Sequence, residues 1–168
     1  MRTVALLSAT ISTAVLSTLA VDVTPRLIWN ASASVPVGLY AVLPASSPQL
    51  GDLALVDPPG VLGRFLDQRD YHPSGIPMLK RVAALPDQLV CRTGMTIRID
   101  GMAVADARAE DSKSRTLPTW YGCHRLRQDE VFLLNADASD SLDGRYFGPL
   151  PVSALRGRAV AIWTQETP

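Results

Sequence analysis

From residue 43 onward, turn-forming residues recur about every ten positions: "LPASSP" (43–48), "DPPG" (57–60), "HPSGIP" (72–77), "LPD" (85–87) and "IDG" (99–101). Proline breaks a helix interior and glycine weakens one, so this punctuation leaves room for short strands and little else. The intervening segments read accordingly. "GLYAVL" (38–43), "DLALV" (52–56), "PMLKRVAAL" (77–85), "QLVCR", "TIRID", "MAVA", "EVFLLN" (130–135) and "GRAVAIW" (157–163) are expected strands. Asp100-Gly101 is a hairpin turn between two of them. "PPGVLGRFLDQRD" (58–70) suits a short helix with Pro59 near its first turn, and "PVSAL" a helical turn. Residues 106–119 are polar and irregular and read as a surface loop. At 168 residues, 47% hydrophobic and with zero formal net charge, the chain has the makings of one mainly β domain with a small appendage. There is no basic excess to suggest a nucleic-acid partner.

The appendage is the N-terminus. Between Arg2 and Asp22 lies "TVALLSATISTAVLSTLAV", a run of 19 residues without a charge. As a helix it would measure roughly 28 Å, close to the hydrocarbon thickness of a bilayer. A cleaved leader, with small residues at Thr18–Ala20 before the cut, and a buried core helix are the competing readings. The reading adopted is an uncleaved anchor over residues 1–21, with residues 22–33 extending away from the membrane and 22–168 forming the domain. Arg2 places the N-terminus in the cytoplasm and the domain on the other side. In such a compartment the two cysteines, Cys91 and Cys123, are expected to form a disulfide. A zinc site built from Cys91, Cys123, His124 and His72 is the alternative, and its spacing matches no compact ligand pattern. No metal or cofactor is expected.

Of the 16 basic residues, fourteen are Arg and two are Lys, Lys80 and Lys113. On a strand, Met78, Lys80, Val82 and Ala84 share one face, and Leu79 and Arg81 the other. An ammonium among apolar neighbours loses its proton more readily, which lysine can do and arginine effectively cannot. A neutral amine is a general base. The bland alternative is a lysine that snorkels at the strand end or pairs with a carboxylate.

Two further segments suit such a base. In "NASASVPVGLY" (30–40), Ser34 precedes Val35-Pro36, and proline restricts the local backbone. Ser32 would lie on the same side of an extended chain. One hydroxyl can attack while the other donates to a developing oxyanion. In "NADASDSLDGRYFGPLP" (135–151), Ser141, Asp143 and Arg145 can gather round the same site. Read blandly, the first is a polar turn and the second a loop with Asx turns.

Taken in order, N-x-S-x-S-x-P-x-G-L-Y, K-R-V-x-x-L-P and S-x-D-x-R-Y-F-G-P resemble the signal peptidase I superfamily. The "SVPVGLY" and "RYFGPLP" forms are similar to its TraF-type conjugative transfer peptidases. The resemblance implies a mainly β, coiled-sheet serine endopeptidase behind an N-terminal transmembrane helix. It would be single-pass in the inner membrane, with the catalytic domain in the periplasm. It further implies Ser34 as nucleophile and Lys80 as general base. Ser32 and the Ser34 N–H would form the oxyanion hole. Ser141 would orient the base, and Asp143 and Arg145 would form an ion pair beneath the site. The implied substrate is a secreted precursor, with a conjugative pilin expected, and cleavage in some such enzymes is coupled to cyclisation. Other proteins of the conjugation apparatus are the implied partners. The chain departs from the family pattern twice. Pro86-Asp87-Gln88 stands where Pro-Gly-Asp is usual, and Asp143-Gly144-Arg145 where Asp-Ser-Arg is common.

Four other functions compete with this one. A general signal peptidase for secretory preproteins would share the same residues. A Ser-His-Asp hydrolase would need His72 or His124 as base. A cytoplasmic self-cleaving Ser/Lys repressor-type peptidase would lack the hydrophobic N-terminus. An inactive peptidase-like scaffold of a pilus or transfer complex would keep Lys80 fully charged.

Overall fold

The computed structural model describes residues 26–44, 47–71, 73 and 75–165. The anchor expected over residues 1–21 lies outside them. Among the described residues no helix is long and apolar enough to cross a membrane.

The described chain is mainly β, in two antiparallel sheets. Its elements are β1 (Leu27–Asn30), β2 (Gly38–Pro44), β3 (Leu53–Val56), α1 (Gly60–Gln68), β4 (Met78–Ala84), β5 (Leu89–Thr93), β6 (Thr96–Ile99), β7 (Met102–Asp106) and β8 (Gly122–Arg125). After these come β9 (Glu130–Leu133), α2 (Gly144–Phe147), β10 (Leu150–Pro151), a 3-10 turn (Val152–Ala154) and β11 (Leu155–Thr164). The larger sheet runs β1-β2-β11-β3-β4-β9-β10, the smaller β7-β6-β5-β8. Every expected strand and the helix over 58–70 are present. Residues 22–33 are not simply extended, because their described part forms β1 and pairs with β2 from Leu27↔Ala41 to Asn30↔Gly38. The 135–151 segment is more than a loop, since it contains α2 and β10.

The strand alternation expected around Lys80 holds. Lys80, Val82 and Ala84 are buried and Arg81 is exposed. Ala54, Val56, Val82, Val131, Leu133 and Ala154 pack as one apolar cluster, and Lys80 pairs with Ala54 at its edge. Leu79 instead joins Val35, Tyr40, Val42, Leu55 and Ala159. That second cluster draws on β2, β11, β3 and β4 together. The sheet therefore curls, and the β1–β2 turn and β4 border one cavity although three strands separate β1 from β4.

Two glycines are fixed by the backbone, one by close approach and one by its positive φ. Gly38 faces the Trp163–Thr164 backbone of β11, where a Cβ would overlap the Trp163 carbonyl. Asp100 (φ 48°) and Gly101 (φ 86°) both take positive φ in the two-residue turn joining β6 and β7, as a type I′ hairpin requires. Asp87, at the position where the sequence resemblance led to an expected glycine, adopts φ 70°. Aspartate is among the few residues that tolerate this region. Its neighbour Gln88 secures the turn by accepting from Leu85 N (2.8 Å) and donating to Asp100 Oδ2 (2.8 Å). Cys91 and Cys123 face each other across β5 and β8 and are joined as the expected disulfide, which removes both thiolates from any zinc site.

Candidate active site

The segment that carries Ser32 and Ser34 is a turn, not the extended chain expected from its sequence. Ser32 and Ser34 nonetheless meet, with their hydroxyls 3.3 Å apart. The turn is built around Asn30, the buried last residue of β1. Asn30 Nδ2 donates to the carbonyls of Ser32 (2.8 Å), Val35 (3.1 Å) and Pro36 (3.1 Å). Asn30 Oδ1 accepts from the Ser32 amide (3.2 Å) and hydroxyl (3.0 Å). Tyr40 adds a hydrogen bond from its hydroxyl to Pro36 O (2.6 Å). One carboxamide thus bonds three carbonyls of the turn and both the amide and the hydroxyl of Ser32.

Lys80 is 6% exposed. Its Nζ donates to Ser141 Oγ at 2.8 Å, and Ser141 is itself buried. Loss of solvent is the dominant influence on the amine and holds its pKa down from 10.5 to about 8. The negative charges of Asp143 and Asp140 push it back up, and the positive charge of Arg145 pushes it down.

Asp143 and Arg145 form a fully buried ion pair, with Arg145 Nη2 2.8 Å and Nε 2.9 Å from the carboxylate oxygens. Both groups make further hydrogen bonds. Asp143 accepts from the amides of Asn135 (3.1 Å) and Arg145 (3.1 Å), capping α2. Arg145 Nη2 also donates to the carbonyls of Asn135 (2.9 Å) and Ala138 (2.6 Å). Such bonding makes a buried pair tolerable and fixes the loop that carries Ser141. The hydroxyl absent at Gly144 has no room there. A Cβ would lie 2.6 Å from Phe132 Cε2 and 2.7 Å from Leu133 O. Trp120 Nε1, which donates to Gly144 O (3.0 Å), closes the packing from the other side.

Ser32, Ser34, Lys80 and Ser141 all line one cavity of about 780 Å³. Ile28, Trp29, Leu66, Tyr71, Met78 and Leu142 supply apolar wall, and Asp140 stands at its rim. No hydrogen bond joins Ser34 to Lys80: Ser34 Oγ is engaged with Ser32 and Lys80 Nζ with Ser141. The arrangement provides a hydroxyl on a braced turn, a second hydroxyl beside it, and a desolvated amine across the same cavity. Those are the parts of acyl transfer.

His124 is not among the cavity residues. Its Nε2 hydrogen-bonds Glu130 Oε2 at 2.7 Å on β8. His72 lies outside the described residues. Sequence reasoning gave no role to Asn30 or Asn135. Asn30 heads the serine motif, a signal that was available. Asn135 follows an ordinary apolar strand, and nothing in the sequence singles it out.

Comparison with known proteins agrees with the motif order. A family model described as signal peptidase, peptidase S26, matches residues 1–164. The conjugal transfer protein TraF of Agrobacterium fabrum is 34% identical over 147 residues, covering 80% of this chain and 81% of that protein. A plasmid transfer protein TraF of Escherichia coli is 33% identical over 142 residues, covering 82% and 76%. Among solved structures, a signal peptidase I from Enterococcus faecalis aligns with a TM-score of 0.40 at 19% identity, covering 67% of this chain and 97% of that one. On the match across nearly its whole length and on these relatives, the chain belongs to the signal peptidase, peptidase S26, family and is of the TraF type.

Proposed function

We propose that this protein is a membrane-anchored serine endopeptidase that uses Ser34 and Lys80 to process a secreted precursor, a conjugative pilin. The observation that carries the reading is Lys80. A lysine kept in an arginine-rich chain is buried, desolvated and hydrogen-bonded to a hydroxyl, and it lines the same cavity as Ser34. The names of the TraF relatives support a setting in conjugation. The uncharged run before Asp22 supports an anchor over residues 1–21 in the inner membrane, with the domain in the periplasm.

In the proposed reaction, neutral Lys80 takes the Ser34 proton as Ser34 Oγ attacks the scissile carbonyl. Ser34 N–H and Ser32 Oγ–H donate to the oxyanion, Ser32 first turning its proton away from Asn30. The tetrahedral adduct collapses to an ester, and the Lys80 ammonium returns its proton to the departing amine. Water, deprotonated by Lys80, then cleaves the ester and frees Ser34. An amine of the same peptide attacking in place of water would close a ring instead. Ser141 holds Nζ throughout, leaving the nitrogen lone pair free to face Ser34.

The test is the intact mass of a pilin precursor co-expressed with wild type or Ser34→Ala. Shortening by wild type alone is the expected result, and a further loss of one water would report cyclisation. Equal shortening by both proteins would overturn the assignment of Ser34.

A further inference from the structure

The hydrogen-bond ladder beside Lys80 is incomplete. On one edge, β4 pairs with β3 along its first half, from Val56↔Met78 to Leu53↔Arg81. On the other edge, β9 pairs with β4 only from Val82↔Leu133 onward. Leu134 N donates to Arg81 O (2.9 Å), and there the chain turns away. On this edge Arg81 N and Leu79 O therefore have no neighbouring strand to bond. Left unpaired in a buried place, each would be costly.

Asn135 fills the gap with its side chain. Its Oδ1 accepts from Arg81 N (3.0 Å) and its Nδ2 donates to Leu79 O (3.2 Å). These are the two bonds that one residue of an added parallel strand would make opposite Lys80 through its own N–H and C=O. The residue is 5% exposed. Its main chain is committed too. The amide donates to Asp143 Oδ2 (3.1 Å), and the carbonyl accepts from Arg145 Nη2 (2.9 Å) and Ala138 N (3.1 Å). Ala138 O in turn accepts from Ser141 N (3.1 Å). A closed circuit results. It runs from Lys80 Nζ to Ser141, back along the loop to Asn135, and through the carboxamide to the peptide groups on both sides of Lys80.

We infer that Asn135 is a positioning residue for Lys80, holding the strand and the Ser141 loop at the spacing that keeps Nζ against Ser141 Oγ and out of water. The inference rests on the Ser34/Lys80 reading for its functional meaning, but its geometry does not depend on a substrate. The charged groups acting on Lys80 are Asp143 and Arg145 at α2 and Asp140 in the loop, and Tyr71 lines the same cavity. Removing the carboxamide changes none of those charges. It loosens the circuit and admits water, so the amine should regain an ordinary lysine's proton affinity.

The chain holds only two lysines, so the full-length protein labelled with [13C]lysine gives two Cε resonances, with Lys113 as internal control. The probe is pH alone. In Asn135→Ala the Lys80 midpoint should rise by about one pH unit or more toward the ordinary value near 10.4, while Lys113 stays put. Gln88→Ala removes two hydrogen bonds at the far end of β4 and should leave the Lys80 midpoint where wild type has it. In turnover, Asn135→Ala should lower kcat near neutral pH about tenfold or more, recover part of it at high pH, and leave KM little changed. An unmoved Lys80 midpoint in folded Asn135→Ala overturns the inference, as does an equal rise in Gln88→Ala. If Asn135→Ala does not fold, wild type decides by hydrogen exchange. The Arg81 amide should exchange as slowly as that of Val82, which donates to Asp52 O (2.8 Å); exchange as fast as an exposed loop amide overturns the clamp. Because the resonance needs no substrate, a precursor left uncut by wild type counts against the proposed function and not against the clamp.

Discussion

Lys80 Nζ and Ser141 Oγ lie 2.8 Å apart, although 61 positions separate the two residues in sequence. One sits mid-strand in β4 and the other in the loop before α2, and they meet in the wall of the cavity that Ser34 also lines. The contact brings a hydroxyl to an amine that has almost no water left to bond.

The serine pair should separate by role. Ser34→Ala removes the proposed nucleophile and should abolish precursor cleavage. Ser32→Ala removes one proposed donor to the oxyanion and should lower kcat about 10²- to 10³-fold with KM little changed. Steady-state kinetics on a precursor peptide, with circular dichroism to show that each variant is folded, checks both. A Ser32→Ala enzyme with wild-type kcat would remove Ser32 from the oxyanion hole.

Burial of Lys80 should cost stability, and the sign follows from linkage. The folded chain binds the Lys80 proton with a pKa of about 8, against 10.5 for the ordinary side chain. Between those values the unfolded chain carries more protons, so Lys80 makes stability rise with pH across that window. Below pH 8 both states are protonated and the full cost of the buried ammonium, about 3 kcal/mol, is present. Lys80→Met should therefore stabilise the protein at pH 7 by about 1–3 kcal/mol, allowing for the lost bond to Ser141. That gain should vanish by pH 10.5. Urea unfolding at the two pH values measures it.

The Asp143–Arg145 pair should behave as one unit. Arg145→Met leaves a buried carboxylate without its counter-charge and takes one of the hydrogen bonds from each of the carbonyls of Asn135 and Ala138, and should cost about 3–5 kcal/mol. Asp143→Asn should cost less, since it keeps an acceptor for Arg145. Denaturation of the two variants ranks them.

Restoring the family's more common residue at Gly144 should harm this protein. A Cβ there meets the Phe132 ring and Leu133 O at 2.6 to 2.7 Å, and one of those contacts is backbone. Gly144→Ser should lose about 1–3 kcal/mol. Gly144→Ser combined with Phe132→Leu should recover part of that loss, because the smaller side chain vacates the ring position. Thermal unfolding of the single and double variants tests this coupling.

The sequence was legible where chemistry or punctuation left a mark. Lys80 stood out against fourteen arginines, the Asp100-Gly101 pair announced its turn, and the apolar alternation of β4 and β11 survived into the fold. Elements that owe their form to partners left none. The strand Gly122–Arg125, with the sequence GCHR, has no alternation of its own and is a strand because β5 lies beside it. The single turn Gly144–Phe147 is too short to show helical periodicity and exists through the Asp143 cap. The turn at Ser32–Ser34 follows from the carboxamide of Asn30, and hydrogen bonds from side chain to backbone have no sequence period. The same reason hid Asn135, whose partners are peptide groups more than fifty positions away.

The central claim is that Lys80 works as a neutral base for Ser34. Its most direct test is the pH dependence of kcat/KM for precursor cleavage between pH 6 and 10, a window spanning roughly two units either side of the Lys80 midpoint. The account predicts a rising limb with a midpoint near the value of about 8 held by Lys80 in the folded chain, and no cleavage at any pH by Lys80→Arg. A rate that stays level across that range, or a Lys80→Arg enzyme that still cleaves, would contradict it.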